Sequence, residues 1–73
     1  MKIYKLERVH RSTNWDQYQG FVVRAASPQA ARRLAQEQAR ESGEPWLDPA
    51  VTTCRAVKAE GKAEILLGDF EAG

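Results

Sequence analysis

The segment from Ser27 to Gly43 constrains the fold most, because it carries the one complete set of helix signals in this 73-residue sequence. Ser27 can act as the N-cap by accepting a hydrogen bond from an unpaired backbone N–H. Pro28 suits the first helical position, since it has no N–H to leave unpaired. Gly43 suits a left-handed C-terminal stop. The sequence therefore predicts a single helix from Pro28 to about Ser42.

The predicted helix has a narrow apolar face that consists mostly of alanine. At 100° per residue, the face predicted to be buried contains Ala31, Leu34, Ala35, Gln38 and Ser42. The face predicted to point to solvent contains Arg33, Gln36 and Arg40. Alanine adds little volume, so the helix must lie close to a sheet, and the aromatic side chains of the sheet must fill the core.

Four segments have the alternation or the β-branched content that is typical of strands: residues 1–9, 21–25, 51–58 and 63–69. The first has no cleanly apolar face, which predicts an edge strand or a strand with one side open to solvent, whereas the second is predicted to be central. The order β-β-α-β-β indicates an α+β fold in two layers. We expect one domain over residues 1–73, with a mainly antiparallel four-stranded sheet and one helix on one face.

Several classes of protein are excluded by what the sequence lacks. No apolar run approaches the ~20 residues of a membrane span, and the N-terminus has no signal-peptide core. Cys54 is the single cysteine, so an internal disulfide is impossible, and one cysteine with one histidine makes no zinc pattern. We therefore expect a soluble intracellular protein without a metal or cofactor.

The net charge of +1 hides an uneven distribution along the chain. Residues 1–40 contain eight basic and three acidic residues, a net charge of +5, and residues 41–73 contain three basic and seven acidic residues, a net charge of −4. One interpretation is that the halves neutralise each other within the fold. The other is a surface of two signs that orients a charged partner.

The sequence offers few groups for catalysis. Cys54 lies within a predicted strand, where a lone cysteine is typically a small buried hydrophobe, and His10 is the one histidine that could act as its base. His10 beside neighbouring arginines also suggests a small ribonuclease toxin, although a histidine at a strand end is commonly just a surface residue. Asp69 and Glu71 lie near the C-terminus rather than across a cleft. We predict that the chain is not an enzyme.

The helix arginines Arg32, Arg33 and Arg40 carry a nucleic-acid-binding hypothesis, because guanidinium groups can contact phosphates. Four aromatic residues could provide stacking surfaces for bases: Tyr4, Trp15, Tyr18 and Phe21. Against this hypothesis, Glu37 and Glu41 are interleaved with the arginines, at the spacing of ion pairs on a solvated helix. The low net charge is also unusual for a nucleic-acid-binding module of this size.

Protein binding meets the fewest objections. Trp15 and Tyr18 lie in a polar segment predicted to be a loop, where aromatic side chains either anchor an interface or cap a small core. Trp46, between two prolines, is favoured as a core residue. Carboxylates could face a basic surface of the partner. The predicted partner-binding residues are Trp15, Asp16, Tyr18, Glu41, Glu44 and Asp48.

Residues 21–35, with residues 46–49 and 52–54, resemble small proteins carried by phages and prophages. The whole chain is similar to anti-CRISPR proteins of Gram-negative mobile elements, particularly inhibitors of type I systems. The resemblance implies a cofactor-free inhibitor, a monomer or weak dimer, that docks on a Cas effector complex in the bacterial cytoplasm and blocks target-DNA binding. That group has no shared motif, so no catalytic residues carry over. A small nucleic-acid-binding regulator or toxin–antitoxin component, and a structural part of a virion, stay open as alternatives.

Overall fold

The computed structural model describes residues 1–12 and 17–58. Along the chain these residues form strand β1 (Lys2–Arg8), strand β2 (Gly20–Ala25), helix α1 (Pro28–Ala39), a short 3-10 helix (Pro45–Leu47) and strand β3 (Thr52–Val57). The α+β class is therefore confirmed. The fourth strand predicted at residues 63–69 lies outside the described residues.

The described strands form a three-stranded antiparallel sheet in the order β2-β1-β3. Because β2 and β3 both run antiparallel to the strand between them, α1 connects them by crossing one face of the sheet. The prediction of an edge position for β1 is wrong, whereas the alternative, a strand with one side open to solvent, agrees with the structure. β2, predicted to be central, pairs within the described sheet with β1 alone.

Alternation along β1 decides which residues face α1. Tyr4 and Leu6 are buried on the helix side. Leu6 is paired with Phe21 of β2 and with Cys54 of β3, so these partners share its face. In the sequence this side of β1 did not look apolar, because Arg8, at the end of the strand, lies on the same side as Tyr4 and Leu6.

The N-terminus of α1 is as the sequence predicts. The Ser27 side-chain oxygen accepts a hydrogen bond from the Ala30 N–H at 3.1 Å, and Pro28 is the first helical residue. The C-terminus is not, since the helix ends at Ala39 rather than near Ser42. Arg40, with φ 53°, is the left-handed C-cap, and its N–H donates to the Gln36 carbonyl at 2.8 Å.

The earlier end of α1 has a tertiary cause. The Gln36 side-chain amide donates to the Glu41 carbonyl at 2.8 Å, and the Glu41 carboxylate is held by Arg8 of β1. These contacts direct the chain back towards the sheet before another helical turn can form. Gly43 does adopt a positive φ of 80°, but it does so in the turn that follows.

The buried face of α1 is centred on Ala31 and Ala35, as predicted. The three other residues predicted to share that face are exposed: Leu34, Gln38 and Ser42. Gln36, predicted to point to solvent, is half-buried and hydrogen-bonded to the segment that follows the helix. The face is therefore rotated about the helix axis, away from Leu34 and towards Gln36.

Trp46 of the 3-10 helix, and not the sheet aromatics alone as predicted, supplies the volume that the alanines of α1 do not. Its side chain is fully buried, which confirms the prediction that it belongs to the core. The Phe21 ring meets it edge to face, with centroids 4.8 Å apart. The buried core cluster consists of Tyr4, Leu6, Ala25, Ala31, Ala35 and Trp46.

Candidate binding surfaces

Two of the predicted acidic contact residues flank the 3-10 helix. Glu44 precedes it and Asp48 follows it, and both side chains are exposed. Asp48 also closes a local turn, since its carboxylate accepts a hydrogen bond from the Ala50 N–H at 2.9 Å. The structure therefore places this pair of carboxylates on the surface, one short turn apart.

Glu41 lies in a different environment from the other acidic contact residues. Its carboxylate accepts from the Arg8 guanidinium at 2.5 Å, and both side chains are only 11% exposed. The same guanidinium lies 5.0 Å from the centroid of the Trp46 ring. Glu41 therefore ties the segment after α1 to the end of β1, and it does not join Glu44 and Asp48 at the surface.

Tyr18 packs against the core but is partly exposed at the surface. Its ring stacks on Phe21 with centroids 4.6 Å apart, and its hydroxyl accepts a hydrogen bond from Gln38 at 3.1 Å. The residue is nevertheless 43% exposed. The other two predicted residues of this loop, Trp15 and Asp16, lie outside the described residues.

The structure separates the three helix arginines. Arg32 donates through Nη1 to the Trp46 carbonyl at 3.1 Å and to Thr52 Oγ1 at 2.8 Å. Through Nη2 it donates to the Thr52 carbonyl at 2.9 Å. Its guanidinium is thus occupied within the fold, whereas Arg33 and Arg40 are exposed.

The aromatic stacking surface predicted for nucleic-acid binding is also divided. Tyr4 is buried beneath α1, and Phe21 is packed against Trp46 and Tyr18. Of the three candidates within the described residues, Tyr18 is the one that is substantially exposed, and Trp15 lies outside those residues.

The surface that the sequence reasoning missed is the side of the sheet facing away from α1, which we call the open sheet face. Strand alternation and the observed register define its members. In the described strands these are Ile3, Lys5, Glu7, Gly20, Val22, Arg24, Thr53, Arg55 and Val57. The alternation of each strand is readable from the sequence, but the register that assembles the face is not.

Positive charge dominates the open sheet face. Lys5 of the central strand is directly opposite Arg55 of β3. Arg24 of β2 lies opposite Ile3, which is two residues from Lys5 along β1. Like charges directly opposite each other destabilise a sheet. Glu7 is the acidic member of the described face, and its carboxylate lies 3.5 Å from Lys5 Nζ. Arg24 and Arg55 are exposed and form no ion pair with a described carboxylate.

Cys54 lies on the opposite side of β3, towards α1. Burial raises the pKa of its thiol, and the charge of Arg32 opposes this increase only in part. Its Sγ lies 3.9 Å from the Pro28 carbonyl oxygen. A raised pKa keeps the thiol protonated near neutral pH, which is the reverse of nucleophile activation.

No group of three or more histidine, cysteine or acidic residues is arranged to hold a metal ion in residues 1–12 and 17–58. Within the same ranges, no helix is long and apolar enough to cross a membrane.

Comparisons of the chain with protein-family models, with curated proteins and with solved structures found no match. Function must therefore be inferred from the geometry and charge of its surfaces.

Proposed function

We propose that this chain is a non-enzymatic binding module that holds a negatively charged partner on its open sheet face. The observation that carries the proposal is the pairing of Lys5 directly opposite Arg55, with Arg24 on the other side of the central strand. A like-charged cross-strand pair costs stability. An anionic partner would offset that cost, because it interacts favourably with all three cations.

The shape and composition of the face also support binding rather than catalysis. Its three cations come from three different strands, so the sheet fixes their relative positions without help from a loop. Val22, 51% exposed, lies opposite Lys5 on β2 and adds apolar area beside the cations. A rigid surface of this kind can orient a partner through complementary charge.

The proposal is tested by measuring the binding of heparin and of labelled poly-L-glutamate, two polyanion probes. We expect the double variant Arg24→Glu/Arg55→Glu to weaken binding by roughly tenfold or more, which corresponds to about 1.4 kcal/mol. The matched control is Arg33→Glu/Arg40→Glu, which changes net charge equally on helix-side arginines that are also exposed. An equal loss in both double variants would show that net charge, not the open sheet face, governs binding.

A second candidate function is the anti-CRISPR inhibitor suggested by the sequence resemblance. It is favoured by the exposure of Glu44 and Asp48 on either side of one turn. In this hypothesis these carboxylates, with Tyr18, Trp15 and Asp16, occupy a basic surface of a Cas effector complex in the bacterial cytoplasm and exclude target DNA.

This second function is tested on a purified type I effector complex. We expect Glu44→Lys/Asp48→Lys to slow association and to weaken inhibition more at low salt, because screening at high salt already reduces the attraction. The control Arg24→Gln should leave inhibition unchanged. Full inhibition by the acidic double variant would contradict this assignment.

A further inference from the structure

We infer that the anionic partner of the open sheet face is the phosphate backbone of a nucleic-acid duplex, contacted without readout of the bases. The inference rests on the proposed function, since it names the chemical class of the partner for the same three cations. Two properties of the face carry it: the spacing of the cations, and the aliphatic rather than aromatic nature of the uncharged side chains around them.

The spacing follows from the register. Adjacent strands are about 4.8 Å apart and each residue rises about 3.4 Å, so the Cα atoms of Lys5 and Arg55 are about 5 Å apart. Arg24 lies one strand away from Lys5 and two residues along, at about 8 Å, which places it about 12 Å from Arg55. Three cations thus cover a span of about 12 Å along a diagonal of the sheet.

Charge density favours a nucleic acid over an acidic protein. A duplex carries one negative charge per ~1.7 Å of its axis, so a 12 Å span presents about seven phosphate charges. Every one of the three cations can therefore find a phosphate within the reach of a lysine or arginine side chain. An acidic protein surface would need carboxylates placed to match this particular diagonal.

The apolar residues of the face favour a duplex over a single strand. Modules that bind single strands combine a basic groove with aromatic side chains on which bases stack. On the described part of the open sheet face the uncharged large side chains are Ile3, Val22 and Val57, none of them aromatic. The aromatic residues of the described strands, Tyr4 and Phe21, lie on the side of α1. Phosphates on the outside of a duplex can be contacted without stacking.

The negative charge of Glu7 should oppose duplex binding. Its carboxylate lies 3.5 Å from Lys5 Nζ, with the Glu7 side chain 49% exposed. A phosphate that approaches Lys5 must compete with this carboxylate and is repelled by it. Removing the charge with Glu7→Gln should therefore strengthen duplex binding, although it removes an ion pair from the free protein.

The experiment is a fluorescence anisotropy titration of the full chain with a labelled DNA duplex at several salt concentrations. Three phosphate contacts predict a slope of log K against log salt of about −2.7, or roughly 200-fold tighter binding at about 20 mM than at about 150 mM salt. Arg24→Gln and Arg55→Gln should each reduce the slope to about −1.8. Arg33→Gln, a matched loss of one exposed charge on α1, should leave the slope unchanged, and Glu7→Gln should tighten binding.

Parallel titrations with an RNA duplex, single-stranded DNA and poly-L-glutamate decide between the remaining outcomes. Equal binding of DNA and RNA duplexes supports contact with the backbone alone. Tighter binding of the single strand, or a slope lowered by Arg33→Gln but not by Arg24→Gln, overturns the inference. Binding of polyglutamate without binding of either duplex also overturns it and leaves the proposed function standing, whereas binding of no polyanion overturns both.

Discussion

Replacing Arg32 by alanine should destabilise the fold much more than the loss of one surface charge. The Arg32 guanidinium joins α1 to the 3-10 helix and to the start of β3 through hydrogen bonds to Trp46 and Thr52. Thr52 is fully buried, and its hydroxyl oxygen also lies 2.8 Å from the Pro45 carbonyl oxygen. Removing the guanidinium leaves two backbone carbonyls without their donor.

The size of the destabilisation follows from the three hydrogen bonds that the Arg32 guanidinium donates. A hydrogen bond that involves a charged group contributes about 1.5–3 kcal/mol. Arg32 is half-buried, so water can replace part of what is lost, and we expect a total loss of about 2–4 kcal/mol. A domain of 73 residues has a free energy of unfolding of roughly 4–11 kcal/mol, so this one substitution removes a large fraction of it.

Urea unfolding followed by tryptophan fluorescence measures the effect. With a slope of about 1 kcal/mol per molar urea, the midpoint should fall by roughly 2–4 M. The control Arg33→Ala removes the same charge from the exposed side of the same helix and should stay within about 0.5 kcal/mol of the unsubstituted protein. Arg32→Lys should recover only part of the loss, because an ammonium group cannot reproduce the planar fork. Equal midpoints for Arg32→Ala and Arg33→Ala would refute the structural role and return Arg32 to the candidate nucleic-acid contacts.

Three further experiments test the packing. Ala35→Glu should abolish the dispersion of the NMR spectrum that marks a folded protein, because it buries a carboxylate without a partner. Leu34→Glu, at a position 47% exposed, should leave the spectrum dispersed. The reverse result would disprove the helix orientation. Glu41→Gln should lower the free energy of unfolding by about 1–3 kcal/mol. Glu44→Gln, on an exposed side chain, should change it by less than about 0.5 kcal/mol, and equal effects would contradict a special role for the ion pair with Arg8. Because burial raises the pKa of the Cys54 thiol above its ordinary value, iodoacetamide should react more slowly with the folded than with the urea-unfolded chain at pH 8, and equal rates would contradict that shift.

The features that the sequence determined are those whose physical cause lies within a few residues. The Ser27–Pro28 start of α1 was predictable because the N-cap oxygen and the N–H that it accepts from are three residues apart. The burial of Ala31 and Ala35 followed from their size and helical spacing. Trp46 was predictable as a core residue because a domain of 73 residues needs large side chains to cover the open end of its core.

Tertiary contacts decided the features whose cause lies far along the chain. The end of α1 depends on the ion pair between Arg8 and Glu41, which are 33 positions apart, so no local pattern could predict Ala39 as the last residue. The exposure of Leu34 depends on how the helix rolls on the sheet when Trp46 takes its place in the core.

The candidate binding surfaces likewise combine features that the local sequence predicts with features that only tertiary contacts decide. Of the residues predicted to bind a partner, Glu44, Asp48 and Tyr18 are exposed, but Glu41 is drawn into an ion pair that only the packed sheet brings close. The open sheet face depends on strand order. The burial of Tyr4 and Leu6 beneath the helix leaves Lys5 on the uncovered side of β1, and the register of β1 with β3 places it opposite Arg55. Strand pairing is a contact between segments distant in sequence, so the charge of that face exists only in the folded sheet.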